Sequence, residues 1–197
     1  MRPLRSVTGT VAVLDRADVD TDQIIPKQHL KRIERTGYGQ FLFEDWRLDE
    51  DGNERPGFEL NRPEFRDASI LLAGRNFGCG SSREHAAWAL QDYGFDVVVA
   101  PSFGDIFRTN AGKIGMLAIP LPDDEVGRLM ESVDLDTGSV MTVDLERCIL
   151  VAPDGREVPF AFDEATRHRI LEGLDDIALT LAHEDAIAAY ETAHGIA

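Results

Sequence analysis

Cysteine is scarce. The 197-residue chain has only Cys79 and Cys148, too few for a disulfide scaffold. Cys79 and His85 lie close in sequence, but no further Cys or His cluster completes a metal-ligand set, so no metal is expected on this chain alone. No apolar run approaches the ~20 residues that span a bilayer. The N-terminus also lacks the apolar core of a signal peptide, and the expected setting is a soluble, reducing, cytoplasmic one. Bases are few as well: 20 Lys and Arg stand against 36 Asp and Glu, a formal net charge of −16. Such a chain is repelled by nucleic acid and by anionic membranes, so neither is an expected partner.

Several signatures are missing too. Gly78-Cys79-Gly80 runs into Ser81-Ser82-Arg83 without the third glycine of a dinucleotide fingerprint. No glycine-rich loop ends in Gly-Lys-Ser/Thr. Gly80-Ser81-Ser82 does not supply the Gly-x-Ser-x-Gly of a nucleophile elbow. The acid-rich turn at residues 18–22 lacks the glycine and distant glutamate of an EF-hand loop. Its Asp and Thr side chains are expected to cap local backbone instead.

What is present is a normal core composition, 43% hydrophobic, and an uneven charge. Residues 1–121 carry 18 acids and 15 bases; residues 122–197 carry 18 acids and 5 bases. Cations able to meet an anionic ligand therefore lie mostly in the first part. Apolar runs predict strands at 7–14, 68–73, 97–100 and 116–119, with helices after the second and third. That alternation argues a parallel α/β unit. A helix is predicted at 123–133, three short strands at 139–145, 148–152 and 157–160, and helices at 163–173, 174–181 and 184–194. A short basic helix is expected at 27–35, and one from Pro101 onward. The segment 38–66, with its Gly and Pro, reads as a surface excursion held by Phe58 and Leu60. The whole chain is expected to be one α/β domain, residues 1–197, with a C-terminal helical extension at 161–197.

The stretch at residues 74–87, between an apolar strand and a helix, concentrates the chemistry. Its glycines let backbone approach a ligand closely, and the helix start offers unpaired N–H groups and a positive dipole end. Two hydroxyls (Ser81 and Ser82) and a guanidinium (Arg83) at that point suit a small carboxylate or phosphate. A plainer reading is a capping box, with Ser81 as N-cap and Glu84 at the third helical position. Under it, Arg75 and Arg83 are surface ion-pair partners, His85 meets a nearby backbone group, and Cys79 is a small buried hydrophobe.

Three strings in order resemble one family. Gly80-Ser81-Ser82-Arg83-Glu84-His85-Ala86 is similar to the signature of the aconitase superfamily's swivelling domain, and Arg75-Asn76-Phe77-Gly78-Cys79-Gly80 before it resembles the 3-isopropylmalate dehydratase small subunits. Asp20-Thr21-Asp22-Gln23-Ile24-Ile25-Pro26, then Leu30-Lys31-Arg32, resembles that family's N-terminal motif. The third string runs from Pro101-Ser102-Phe103-Gly104-Asp105 to Asn110.

The resemblance implies a swivelling β/β/α domain with a small parallel α/β core, extra short strands and C-terminal helices. It implies a hydro-lyase of leucine biosynthesis that isomerises 2- and 3-isopropylmalate through 2-isopropylmaleate. It also implies a heterodimer, in which a large-subunit partner carries a [4Fe–4S] cluster; two cysteines could not supply three cluster ligands. Ser81 takes the role of base by resemblance. Ser82 and Arg83 take that of substrate binders for a small dicarboxylate. Lys31 or Arg32 stands where the superfamily uses an arginine after the N-terminal motif, and would be a further substrate binder. Leu30, with Ile33, would line the wall for an apolar substrate group, and Asp20, Thr21 and Asp22 would shape the loop. A related hydro-lyase acting on citraconate, citramalate or homoaconitate stays open, as does a non-catalytic carboxylate-binding module.

Overall fold

The structure is a computed structural model, and it describes residues 1–197 apart from Ile33, Arg35, Ala182 and Ala197. In chain order the elements are β1 (Ser6–Leu14), α1 (Thr21–Ile24), α2 (Glu44–Arg47), β2 (Ala68–Ala73), α3 (Glu84–Tyr93), β3 (Val97–Ala100), α4 (Asp105–Ile114), β4 (Leu117–Pro120) and α5 (Asp123–Glu131). There follow β5 (Val140–Asp144), β6 (Ile149–Val151), β7 (Glu157–Pro159), α6 (Glu164–Glu172), α7 (Asp176–Leu181) and α8 (Glu184–His194). The strands form one sheet in the order β4-β3-β2-β1-β5-β6-β7.

β1 is the joint of this sheet. It pairs in parallel with β2 and antiparallel with β5. On one side lies the parallel unit β1–β4, whose β3 is buried along its whole length. Continuous apolar strands of that kind belong to sheets covered on both faces; here α4 packs on β4 and α5 on β2 and β3. On the other side β5, β6 and β7 form an antiparallel meander. β5 buries Met141 and Val143 and leaves Val140 exposed, the period of two of a half-buried strand. The α/β class expected from the sequence is thus the observed one.

Local chemistry sets most ends. Asp163 caps α6 by accepting from the Thr166 N–H, and Gly173 closes it at φ 70°. Two expected helices shrink. Of residues 27–35, those described give a 3-10 turn, Lys27–Lys31, which buries no side chain and has no side-chain cap; Ile33 and Arg35 lie outside the described residues. The helix expected from Pro101 starts at Asp105, because Ser102 and Gly104 are bound to the loop after β2. The excursion is anchored more deeply than a surface loop: Tyr38, Leu42, Phe43, Leu60 and Phe65 are essentially inaccessible, while its polar middle faces solvent.

Candidate functional site

Parallel strands end together, so the loops after β1, β2 and β3 meet at one edge of the sheet. The β2 loop, residues 74–83, lies between the other two. On the β1 side, Asp18 N–H donates to Arg75 O (2.9 Å), Gly78 N–H to Val19 O (2.7 Å) and Thr21 N–H to Cys79 O (2.9 Å). On the β3 side, Phe77 N–H donates to Ser102 O (3.0 Å) and Gly104 N–H to Phe77 O (2.9 Å). Asn76 ties both flanks, its N–H donating to Ser102 Oγ and its side-chain amide to Asp18 Oδ1. The three sequence strings are therefore three strips of one surface.

The loop requires its glycines. Gly78 has φ 72°, and a Cβ there would sit 2.3 Å from the Phe107 ring. A Cβ on Gly104 would sit 2.4 Å from Gly78 O. Gly80, at φ 92°, turns the chain outward into Ser81 and Ser82, both exposed.

The capping-box reading of Ser81 does not hold. α3 begins at Glu84 with Arg83 as N-cap and no side-chain cap. The Ser81 carbonyl accepts from the buried Thr21 hydroxyl at 3.0 Å, which holds Ser81 to the β1 loop, ahead of the helix start. A capping box forms nearby instead: Gln23 N–H donates to Asp20 Oδ1 and Asp20 N–H to Gln23 Oε1, each at 2.8 Å. The Ser81 and Ser82 N–H groups lie outside any helix or strand and donate to nothing among the described residues. Beside the uncapped first turn of α3 they make a surface rich in free donors, suited to negative charge.

Arg83 is mostly buried and paired with the Asp22 carboxylate. From sequence, Asp22 reads only as a loop-shaping residue; its place within the N-terminal string is the available signal. His85, in the first turn of α3, meets the rings of Tyr38 (5.2 Å) and Trp88 (4.8 Å) rather than a backbone group. Burial, above all, pushes its pKa below the usual 6.5; Glu84 opposes this and Arg83 adds to it. Tyr38, which the sequence does not single out, also lies under the Arg32 guanidinium at 5.6 Å and donates its hydroxyl to Arg32 O.

Leu30 is half-buried against the core and Lys31 is exposed. Arg32 lies over Tyr38 and Phe41 and pairs with Glu34 at 3.6 Å. Among the described residues, no hydrogen bond or ion pair joins these three to Ser81, Ser82 or Arg83. Tyr38 is the physical link, touching Arg32 on one side and His85 on the other. Arg75 is exposed beside a cavity of about 380 Å3 with Asp15, Asp123 and Glu131, and makes no ion pair among the described residues. A further cavity, about 400 Å3, lies between α4 and α6, away from the serines, which stand on open surface.

Neither cysteine is placed for cluster chemistry. Cys79 is half-buried, and burial, then Asp20 and Asp18, push its thiol pKa up. Cys148 follows β5 at the end of the sheet where β1 starts, opposite the Cys79 edge. Among the described residues no three His, Cys, Asp or Glu side chains are grouped to hold a metal ion. The three-thiolate donor set of a [4Fe–4S] cluster does not fit this chain. No helix among the described residues is long and apolar enough to cross a membrane.

Known proteins resemble this chain in sequence and in fold. Residues 1–124 match the family described as the aconitase C-terminal domain, and residues 176–194 match the family described as the C-terminal domain of the 3-isopropylmalate dehydratase small subunit. The chain is 58% identical over 188 residues to the 3-isopropylmalate dehydratase small subunit of Rhodopirellula baltica, covering 95% of this chain and 96% of that one. It is 55% identical over 194 residues to that of Koribacter versatilis, covering 98% and 100%. A crystal structure of a 3-isopropylmalate dehydratase protein from Methanocaldococcus jannaschii superposes with a TM-score of 0.66 at 25% identity, covering 94% of this chain and 99% of that one. Matched in sequence over nearly its whole length and similar in fold, the chain belongs to the 3-isopropylmalate dehydratase small-subunit family, built on the aconitase C-terminal domain.

Proposed function

We propose that this chain is the proton-transfer and carboxylate-binding half of a 3-isopropylmalate dehydratase, a hydro-lyase completed by a large subunit. The observation that carries this reading is the convergence of three family strings on one loop, where exposed Ser81 stands beside the Arg83–Asp22 pair and the uncapped start of α3. Held by the large subunit, a [4Fe–4S] cluster would supply a Lewis acid for the leaving hydroxyl.

Arg83 presents a planar fork that suits two oxygens of a substrate carboxylate, which would replace or join Asp22. Ser81, as alkoxide, takes the proton from the carbon beside that carboxylate as hydroxide leaves the neighbouring carbon, giving the alkene. Rehydration reverses the bonds at exchanged carbons: Ser81 returns a proton and water's hydroxide adds. A serine alkoxide is costly in water. The free Ser81 and Ser82 N–H groups, the Arg83 charge and the positive end of α3 would lower that cost here. Ser82 would donate to substrate or to the turn. Lys31 or Arg32, beside Leu30, would meet the far end of the dicarboxylate. For Arg32 this means leaving the faces of Tyr38 and Phe41.

The test is an anaerobic isomerase assay of this chain reconstituted with a cluster-bearing large subunit. The expected result is interconversion of 2- and 3-isopropylmalate, with citraconate, citramalate and homoaconitate poorer. Preference for one of those acids sinks the substrate assignment. Ligand binding without turnover in the presence of large subunit sinks the catalytic reading.

A further inference from the structure

Among the described residues the large apolar side chains left exposed are concentrated in the last 21 residues of the sequence. Ile177, Leu181, Ile187, Tyr190 and Ile196 are 71, 59, 38, 59 and 66% accessible, and only Ile106, Leu135 and Val140 join them from the rest of the chain. α7 and α8 bury no residue at all. Helices of 6 and 11 residues are marginal in water without a packed face. On α7, Ile177 and Leu181 are four apart; on α8, Ile187 and Tyr190 are three apart, with His194 stacked on Tyr190 at 4.0 Å. Each spacing puts its side chains on one helix face. Exposed apolar faces on two successive helices are the kind of feature that marks an interaction surface.

We infer that α7 and α8 form the docking face for the large subunit, an inference that rests on the function proposed above. Three observations favour that occupant. The aconitase C-terminal domain family accounts for residues 1–124 without these helices, whereas the family that matches them is specific to dehydratase small subunits. The module thus accompanies the form in which this domain is a separate chain in need of a non-covalent hold. Its charge is one-sided: Asp176 is paired with Arg169 and Asp175 lies by the N-terminal amine, but Glu184, Asp185 and Glu191 flank the apolar residues of α8, and no Lys or Arg occurs after Arg169. That pattern fits a partner surface that is apolar at its centre and basic at its rim. Two copies of this chain would instead bring like charges together.

The double variants Ile177→Ser/Tyr190→Ser and Ile177→Glu/Tyr190→Glu test it, since neither residue supports the core. Each full-length chain is titrated into a fixed amount of cluster-bearing large subunit, with isomerase turnover giving a half-saturating concentration and a plateau. Sedimentation of the small subunit alone is measured in parallel. The expected result is half-saturation raised about 30-fold or more in both variants, with an unchanged plateau. Unchanged half-saturation overturns the inference and leaves the proposed function standing. A wild-type chain that self-associates, with variants that become monomeric yet keep wild-type half-saturation, overturns it in favour of a second copy. No turnover from the wild-type pair defeats the proposed function, and this inference with it.

Discussion

Ser81 has two possible jobs that single-residue substitution separates. A serine that caps a helix stabilises it by about 1 kcal/mol, and its loss shows in the melting curve. Here α3 starts at Glu84 without a side-chain cap, and it is the Ser81 carbonyl, not its side chain, that Thr21 binds. Ser81→Ala should therefore shift stability by less than about 0.5 kcal/mol while removing most turnover of the reconstituted pair. Near-wild-type turnover would return Ser81 to a spectator. Arg83→Lys carries a different signature. An ammonium keeps the charge and can still meet Asp22, but it cannot hold two carboxylate oxygens in one plane. The variant should fold normally and lose activity mainly through a raised KM; unchanged KM and kcat would remove Arg83 from the substrate.

At the scale of elements, the loop after β2 is held by backbone contact, so its most sensitive positions are glycines rather than polar residues. A methyl group on Gly104 would meet the Gly78 carbonyl at 2.4 Å. Gly104→Ala should cost about 1–3 kcal/mol by overpacking and reduce turnover as residues 77–80 shift. A variant as stable and active as wild type would show that the strips do not need their close approach. The first turn of α3 adds a pH dependence. Because burial depresses the His85 pKa below 6.5, its contribution to stability is present above that value and is lost as pH falls through the lower folded-state pKa. Between pH 7.5 and 5.0 the wild type should therefore lose more of its melting temperature than His85→Gln; equal losses would mean the ring stays solvated. Much of this arrangement is legible in the residues. Apolar runs mark the parallel strands, and Asp163 and Gly173 bracket α6 as capping chemistry requires. The start of α3 is not legible, because a Ser-x-x-Glu string reads as a capping box unless a distant hydroxyl claims the serine's carbonyl, as Thr21 does. Tyr38 is hidden likewise: its burial and its contacts with Arg32 and His85 are set by tertiary packing.

For the whole molecule, the open question in the sequence is the acidic final third, which reads first as a solvated face and second as a docking surface. The fold divides its charge physically. Glu125 is held between Arg128 and Arg156, and Asp154 pairs with Arg156, so these acids are already compensated within the chain. Glu184, Asp185 and Glu191, on a helix with no buried residue, have no basic side chain on their own element other than His194. If they face a basic rim on the large subunit, their field acts before contact and should govern how fast the subunits meet rather than how long they stay. Raising ionic strength shortens the Debye length to about 8 Å at 0.15 M, so steering should fade while the apolar contacts persist. Stopped-flow association of the two subunits should then slow by about tenfold between low and physiological salt, with a dissociation rate that scarcely moves. Ile177→Ser/Tyr190→Ser should do the reverse, speeding dissociation and leaving the salt dependence of association intact. An association rate indifferent to salt would place these acids on a solvated face, and the hold between subunits would then be apolar alone.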